Sequence, residues 1–290
     1  MQNRNLGCSA EGKDSVVKTD THIPVFSFDP AALAEAAGQH ADAYRCAQPF
    51  PHVVLEEFLP DWVIATVVAE FPRPGDIEWD LYTDAGNTQK LATHDEQRMG
   101  PFTRQLIAQL NGGPFLRFLE TLTGIQGLVP DPHLLGGGLH RIERGGFLRV
   151  HADFNRHLQL RLDRRLNLLL YLNQGWQEAW GGHLELWNRV SCRRSILPVA
   201  NRCVIFSTTD DALHGHPKPL ECPPAEARKS IALYYYSNGR PEHERSPDHS
   251  TLYLQPVVAG PSQSRLKETA QRWLPPALVD LYSRQRWRRR

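Results

Sequence analysis

The sequence predicts a single α+β domain in which helices come first and a mainly β core follows. Before about residue 134, apolar residues recur at helical spacing, as in Val63, Val67 and Phe71. After it, short apolar runs alternate with Gly, Asn, Asp and Pro clusters, with no amphipathic helix between them. Short strands at regular spacing are typical of a sandwich or a barrel, and the helices would cover one of its faces.

Length and composition are those of an ordinary globular protein. The chain has 290 residues, 41% hydrophobic and 22% charged, and its net charge of +1 argues against nucleic acid as a partner. No apolar run approaches the roughly 18 residues of a membrane span, and the first residues lack the basic and apolar segments of a secretory signal. The 5 cysteines include no CxxC pair, which favours reduced thiols and a cytoplasmic location.

Three segments are expected along the chain. Residues 1–22 are polar without periodicity, which predicts a flexible leader. Residues 23–260 would form the single domain, with its β core at about 134–240. Residues 261–290 are predicted to form a C-terminal helix, around Pro275 to Arg286, and an Arg-rich tail.

Turn residues and caps bound the individual elements. The predicted helices cover Ala31–Ala43, Asp61–Phe71 and Arg104–Leu122, the last divided at Gly112–Pro114. The predicted strands are Val53–Leu55, Leu139–Ile142, Phe147–Val150, Leu166–Leu172, His183–Trp187, Ile196–Pro198, Cys203–Phe206 and Ser230–Tyr236.

The stretch GGFLRVHADFN, residues 145–155, carries the first chemical signal. It places His151 and Asp153 two residues apart at the end of a strand, where residues i and i+2 point to the same side. With one more neutral donor, two imidazoles and a carboxylate would occupy one face of a metal, an arrangement that suits ferrous iron in oxygenases. An H-x-D tripeptide alone is weak support, because it often occurs by chance.

The third ligand should come from a distant strand of the same core. The segment FSTTDDALHGHP, residues 206–217, offers His214 and His216, which would share one face of an extended chain. Further on, Arg228 opens a strand with Ser230 on the same face. A guanidinium donates two parallel hydrogen bonds to a carboxylate, although Arg228 could also be a solvated cation at a strand start.

Four segments in this order resemble the Fe(II)- and 2-oxoglutarate-dependent dioxygenases of the prolyl 4-hydroxylase-like branch. They are GGFLRVHADFN, RLNLLLYLN (165–173), WGGHLELW (180–187), and FSTTDDALHGHP followed by RKSIALYYYS. The resemblance covers about Leu134 to Arg240 well and Val53 to Gly127 less distinctively. It implies a double-stranded β-helix, a jelly-roll core of the cupin-like kind.

The resemblance also implies the roles of single residues. His151, Asp153 and His214 would bind iron, with His214 preferred over His216 because the family's distal ligand typically sits in a His-Gly pair. Cosubstrate binding is implied as well: Arg228 would bind the distal carboxylate of 2-oxoglutarate, joined by Ser230, Tyr171 and Asn167.

One departure from the family pattern concerns the strand before the H-x-D motif. Relatives often carry a Tyr where this sequence has Ile142, and His140, on the same face, is a candidate replacement. His140 and His216 are therefore kept as second-shell or substrate-contacting residues, with structural histidines as the alternative.

The implied reaction uses Fe(II), 2-oxoglutarate and O2 to oxidise an unactivated C–H bond, with release of succinate and CO2; ascorbate is a candidate auxiliary cofactor. Asp153 favours hydroxylation, because halogenating relatives replace this carboxylate by a small residue. The expected substrate is a small molecule, an amino acid or a peptide. The alternatives are a protein prolyl hydroxylase, or a non-catalytic jelly-roll module that binds metal or nucleic acid. The oligomeric state is not predicted.

Overall fold

The computed structural model describes residues 23–83 and 86–254, of which those up to Leu252 belong to one compact unit. The predicted leader, 1–22, and the predicted C-terminal helix and tail, 261–290, lie outside the described residues. No helix within the described ranges is long and apolar enough to cross a membrane.

The four α-helices precede β4 and all later strands, as predicted, although β1, β2 and β3 lie between them in the chain. The α-helices are Pro30–Cys46 (α1), Asp61–Glu70 (α2), Pro101–Leu110 (α3) and Gly113–Thr123 (α4). The strands are His52–Leu55 (β1), Asp80–Tyr82 (β2), Asn87–Thr93 (β3), Val129–Pro130 (β4), Gly138–Ala152 (β5), Asp163–Tyr171 (β6), Leu184–Trp187 (β7), Cys192–Ile196 (β8), Cys203–Ser207 (β9), Leu213–His216 (β10), Arg228–Ser237 (β11) and Leu252–Tyr253 (β12).

Local sequence explains where the helices begin. In α1, Pro30 occupies the first turn and the Asp29 carboxylate accepts a hydrogen bond from the Ala31 amide at 2.9 Å. Its inward residues, Leu33, Ala37 and Tyr44, recur at helical spacing. The division between α3 and α4 confirms the predicted break at Gly112–Pro114.

The strands form one antiparallel sheet, and β5 belongs to both of its halves. The main order is β1-β9-β6-β11-β5-β10-β7-β8. The first part of β5, Gly138–Ile142, pairs with β11, whereas its later residues Leu148 and His151 pair with β10. A strand shared in this way joins two half-sheets, and the predicted mainly β core is confirmed.

The two faces of the larger half-sheet bury different partners, because successive side chains of a strand alternate. Leu168 and Leu170 of β6 pack outward in the same cluster as Leu106 and Leu119 of the helices. Tyr171 packs inward in the same cluster as residues of the smaller half-sheet. The helices therefore cover one face, as predicted, and the other face lines an interior shared by both half-sheets.

Three strand predictions need correction. β5 is one strand of 15 residues rather than two, because the glycine segment that was taken as a separator is an irregularity within it. β8 covers Cys192–Ile196 rather than Ile196–Pro198, since it is an exposed edge strand rich in polar residues. β2 and β3 were not predicted, because neither shows a run of alternating apolar residues.

Candidate active site

Three predicted ligands meet in the interior. His151 lies near the end of β5, Asp153 follows that strand, and His214 lies on β10 directly opposite His151. One potential ligand atom from each residue falls within 4.8 Å of the others. The strand pairing thus brings together side chains that are far apart in the sequence, and the cluster has the composition that the sequence predicts for iron.

Hydrogen bonds to backbone carbonyls fix the tautomer of both histidines. Nδ1 of His151 donates to the Arg149 carbonyl at 2.8 Å, and Nδ1 of His214 donates to the Ala212 carbonyl at 3.0 Å. Each Nε2 then faces the carboxylate with its lone pair, at 3.4 Å from His151 to Asp153 Oδ1 and 3.5 Å from His214 to Asp153 Oδ2. Burial lowers the pKa of His214 to about 4, so this imidazole is neutral, as a metal ligand must be.

A buried arginine and an amide hold the carboxylate of Asp153. Asn167 Nδ2 donates to Asp153 Oδ2 at 2.7 Å, and Arg164 Nη2 lies 3.1 Å from the same oxygen. Arg164 also donates to the Asn167 Oδ1 at 2.7 Å, which closes a three-residue network. Burial alone would raise the pKa of Asp153, but the charge of Arg164 and the two imidazoles bring that pKa well below its usual range.

Arg164 is itself held by aromatic rings. Its guanidinium carbon lies 3.6 Å from the centroid of the Tyr234 ring and 4.4 Å from that of Phe154, and the residue is 1% exposed. Such stacking suits a planar cation that must stay in one orientation. Arg164 therefore positions a metal ligand, although the sequence analysis did not single it out.

A bulge explains why Arg164 escaped the sequence analysis. In β6, Asn167, Leu169 and Tyr171 alternate inward as predicted, and strict alternation would place Arg165 inward as well. The pairing with β11 instead steps from Leu166 to Arg164 across a register shift, so Arg164 faces the metal site. Arg165 donates to Ser237 and forms an ion pair with Glu244.

Arg228, Tyr171 and Ser230 come together on neighbouring strands. Ser230 of β11 is paired with Tyr171 of β6, and Arg228 opens β11. Arg228 Nη2 donates to the Tyr171 hydroxyl at 3.0 Å, and its Nε donates to the Gly182 carbonyl at 2.7 Å. Burial, opposed by the charge of Arg228, raises the pKa of Tyr171, so the phenol stays protonated.

A glycine lets Arg228 reach this position. Gly182 has φ +72, and a Cβ there would lie 2.6 Å from a methyl carbon of Leu220 and 3.1 Å from the Arg228 Cδ. Arg228 is 5% exposed, and no carboxylate in the described ranges forms an ion pair with it. Since a buried cation is costly without an anion, these residues fit the distal carboxylate of 2-oxoglutarate.

The remaining predicted residues occupy different places. Asn167 contacts the metal-binding carboxylate rather than Arg228, so the geometry gives it an orienting contact; its predicted cosubstrate contact stays a prediction. His140 lies opposite Ser230, and its Nε2 donates to the Gly136 carbonyl at 3.0 Å. His216 is buried, and neither ring nitrogen has a hydrogen-bond partner within the part of the chain that the structure describes.

A cleft opens beside the metal site. It has a volume of about 510 Å³, and Phe154, the residue after Asp153, forms part of its wall. The rest of the wall includes Tyr82, Leu135, Gly136 and Leu158, and its surface is mainly apolar. Because it is mainly apolar and Phe154 joins its wall to Asp153, the cleft is the candidate substrate-binding site.

Comparison with known proteins agrees with this geometry. Residues 137–236 match the family model described as the 2OG-Fe(II) oxygenase superfamily. This range includes all three predicted iron ligands and the predicted cosubstrate residues. No curated protein sequence matches the chain.

Solved structures share the fold at low identity. A Trichoplax adhaerens prolyl hydroxylase, in complex with a peptide fragment of the hypoxia inducible factor oxygen degradation domain, is 17% identical with a TM-score of 0.53 over 71% of this chain and 91% of its own. Prolyl 4-hydroxylase from Phytophthora capsici is 17% identical with a TM-score of 0.50, over 76% and 69%. A Pseudomonas putida prolyl-4-hydroxylase is 18% identical with a TM-score of 0.49, over 73% and 100%.

The fold and the site together define the class. The core is a double-stranded β-helix, and residues 137–236 are a 2OG-Fe(II) oxygenase domain. These residues therefore form an iron- and 2-oxoglutarate-dependent dioxygenase domain, which confirms the resemblance seen in the sequence. Bound Fe(II) supplies the redox chemistry with O2, and His151, Asp153 and His214 would hold it.

Proposed function

We propose that the enzyme hydroxylates an unactivated C–H bond in an apolar part of a small molecule, an amino acid or a peptide. One oxygen atom of O2 would enter the substrate and the other would enter succinate, with CO2 released from 2-oxoglutarate. The observation that carries the proposal is the mainly apolar cleft of about 510 Å³ whose wall begins one residue after Asp153.

Charged residues at the cleft suggest how a substrate would be oriented. Arg156 and Arg161 line it together with Asp248, and Arg156 lies 3.4 Å from Asp248. Apolar walls with a few polar groups typically bind an aliphatic or aromatic moiety and orient it through its polar end. A substrate with an apolar reacting group and a charged end, such as an amino acid or a peptide, satisfies both features.

The experiment is a substrate screen read by succinate formation and product mass. Pools of free amino acids, metabolite extracts and peptides, including prolyl peptides, would be incubated with Fe(II), 2-oxoglutarate and O2. We expect one pool to raise succinate formation and to yield a product with one added oxygen atom. If no pool raises succinate above the level of an Asp153→Ala control, the hydroxylase proposal fails.

A matched pair of surface variants locates the substrate. Leu158 in the cleft wall is 75% exposed and Val190, outside that wall, is 82% exposed, so glutamate at either position should not disturb the core. We expect Leu158→Glu to reduce substrate-dependent succinate formation about tenfold, the effect of losing one apolar contact, and Val190→Glu to leave it unchanged. Equal effects would mean that the substrate binds elsewhere.

We also propose a cytoplasmic location and a stimulating effect of ascorbate. Among the described cysteines none is in a disulfide, and Cys46 and Cys192 are exposed, which suits a reducing compartment. Ascorbate would be varied in the succinate assay, and an unchanged rate and an unchanged number of turnovers would remove it. Fractionation of cells that express the chain would test the location.

A further inference from the structure

His216 differs from the other histidines near the metal site. His151, His214 and His140 each form a hydrogen bond with a backbone carbonyl through one ring nitrogen. His216 is 3% exposed, and neither Nδ1 nor Nε2 has a hydrogen-bond partner among the described residues. A buried polar group left without a partner is costly, so that most such groups in proteins are satisfied by a bond to protein, water or ligand.

The strand places His216 beside the predicted cosubstrate. It lies two residues after His214 on β10 and is paired with Leu148 of β5, across a register shift that separates this pair from His214 and His151. Gly215 lies between the two histidines and permits the close approach of β10 to β5, because a Cβ there would lie 2.8 Å from the carbonyl oxygens of Arg149 and Leu148. His216 is therefore buried against the same strand that carries the metal ligand His151.

Its neighbours place His216 on the Arg228 side of the metal. The charged groups whose fields reach the His216 ring are Arg228, then Lys90, then His151. His216 also lines a cavity of about 380 Å³ with Gly182, whose carbonyl accepts the hydrogen bond from Arg228 Nε. The ring is thus near both the metal ligand His151 and Arg228, the arginine predicted to bind the distal carboxylate.

We propose that His216 is a further cosubstrate-binding residue, whose ring N–H donates a hydrogen bond to the distal carboxylate of 2-oxoglutarate beside Arg228 and Tyr171. The inference rests on the iron- and 2-oxoglutarate-dependent activity. A neutral imidazole has one donor and one acceptor nitrogen, so it adds a donor without adding a second buried cation. His216 makes the pocket selective for a 2-oxo acid that carries a second carboxylate.

The test is equilibrium binding, measured anaerobically by calorimetry on the Fe(II)-loaded protein. Two ligands are compared: 2-oxoglutarate and 2-oxopentanoate, which has the same chain length but no distal carboxylate. We expect His216→Leu to weaken 2-oxoglutarate binding by about tenfold or more, the loss expected for a hydrogen bond to a charged group. Binding of 2-oxopentanoate and Fe(II) should change by less than about twofold, within the error expected for a contact not made.

Amide variants identify the donating nitrogen. The amide of His216→Asn lies near the Nδ1 position and that of His216→Gln near the Nε2 position, so one of them should restore 2-oxoglutarate affinity. His183→Leu is the matched control, because His183 lines the same cavity, and it should leave both affinities unchanged.

Each remaining outcome overturns the inference. Unchanged 2-oxoglutarate affinity in His216→Leu, equal losses for both 2-oxo acids, or a parallel loss of Fe(II) affinity would each show that His216 does not bind the distal carboxylate. If the wild-type protein itself fails to bind 2-oxoglutarate, the cosubstrate assignment fails together with the inference. If wild-type binds and only the His216 effect is missing, the proposed function stands.

Discussion

The interior has a metal end, formed by His151, Asp153 and His214, and a carboxylate end, formed around Arg228. The two ends differ in how completely the protein satisfies their hydrogen-bonding groups. At the metal end, both ligand imidazoles donate Nδ1–H to backbone carbonyls, and Asp153 is bonded by Asn167 and Arg164. At the carboxylate end, Arg228 has no acidic partner and His216 has no hydrogen-bond partner among the described residues. The protein therefore fixes the predicted metal ligands with its own groups, whereas the other end holds a buried cation without a counter-ion in the part of the chain that the structure describes.

The two ends also differ in whether their buried charges have partners of opposite sign. Asp153 at the metal end is balanced by Arg164, and both are buried. At the other end, the positive fields of Arg228 and Lys90 both reach the rings of His140 and His216. A dicarboxylate would thus be attracted to the end that holds Arg228, which has no acidic partner among the described residues, while a metal would be received at the other end by an ordered set of ligands.

The largest expected effect is at the metal end. Asp153→Ala should abolish succinate formation, because it removes one iron ligand, and it should destabilise the protein by about 3–5 kcal/mol, since Arg164 is left buried without its partner. The double variant Asp153→Ala/Arg164→Met should recover most of that stability and none of the activity. Thermal unfolding in the presence of chelator and a succinate assay measure the two effects. Normal hydroxylation by either variant would remove Asp153 from the ligand set.

The next effect contrasts the two buried arginines. Arg228→Met should weaken 2-oxoglutarate binding at least about a hundredfold, as expected for a lost bidentate charge contact. It should not lower the stability of the cosubstrate-free protein, because no described carboxylate depends on it, whereas Arg164→Met should lower that stability by about 3–5 kcal/mol. Denaturant unfolding measures the free energy of unfolding, and calorimetry measures 2-oxoglutarate affinity.

Arg189→Met is the control, since Arg189 is 70% exposed and pairs with an equally exposed Asp211. Equal stability losses in the two buried-arginine variants would contradict the contrast.

The same contrast marks what the sequence can predict. Alternation along strands singled out His151 and Asp153 and left His214 and His216 as alternatives, and the order of the motifs with the family resemblance then implied the ligand set and the role of Arg228. The structure brings His151, Asp153 and His214 together. Arg164 was missed because a register shift in β6 reverses the facing of the residues before Leu166. A bulge of this kind depends on the partner strand, so the sequence of β6 alone does not reveal it.

Edge strands were the other source of error. β2 and β8 are short and largely exposed, so their residues are polar and show no alternation of apolar side chains. The unpartnered state of His216 was equally invisible, because it depends on which groups surround the ring in three dimensions. Most buried strands of the core were therefore predicted, with the short β10, Leu213–His216, as an exception, and features that depend on neighbouring strands were not.

A smaller effect is expected at Asn167. This residue was predicted to contact the cosubstrate, but in the structure it donates a hydrogen bond to Asp153. Asn167→Leu should weaken Fe(II) binding about tenfold, as is typical when a partner of a metal ligand is lost. With metal saturating, 2-oxoglutarate affinity should stay unchanged. Anaerobic titrations of metal and cosubstrate check both values. A loss confined to 2-oxoglutarate affinity would instead support the original prediction for Asn167.

The smallest effect is expected at Tyr171. Tyr171→Phe removes only the hydroxyl that accepts from Arg228 Nη2 at 3.0 Å, while the ring stays in its buried position. We expect 2-oxoglutarate affinity to fall about threefold to tenfold, because Arg228 loses one of the two hydrogen bonds that orient its guanidinium, with Fe(II) affinity unchanged. Tyr235→Phe is the matched control, because this buried hydroxyl donates to the Leu110 carbonyl on the helix side of the sheet. If both variants weaken cosubstrate binding equally, the Tyr171 hydroxyl acts only through the stability of the core and not at the carboxylate end.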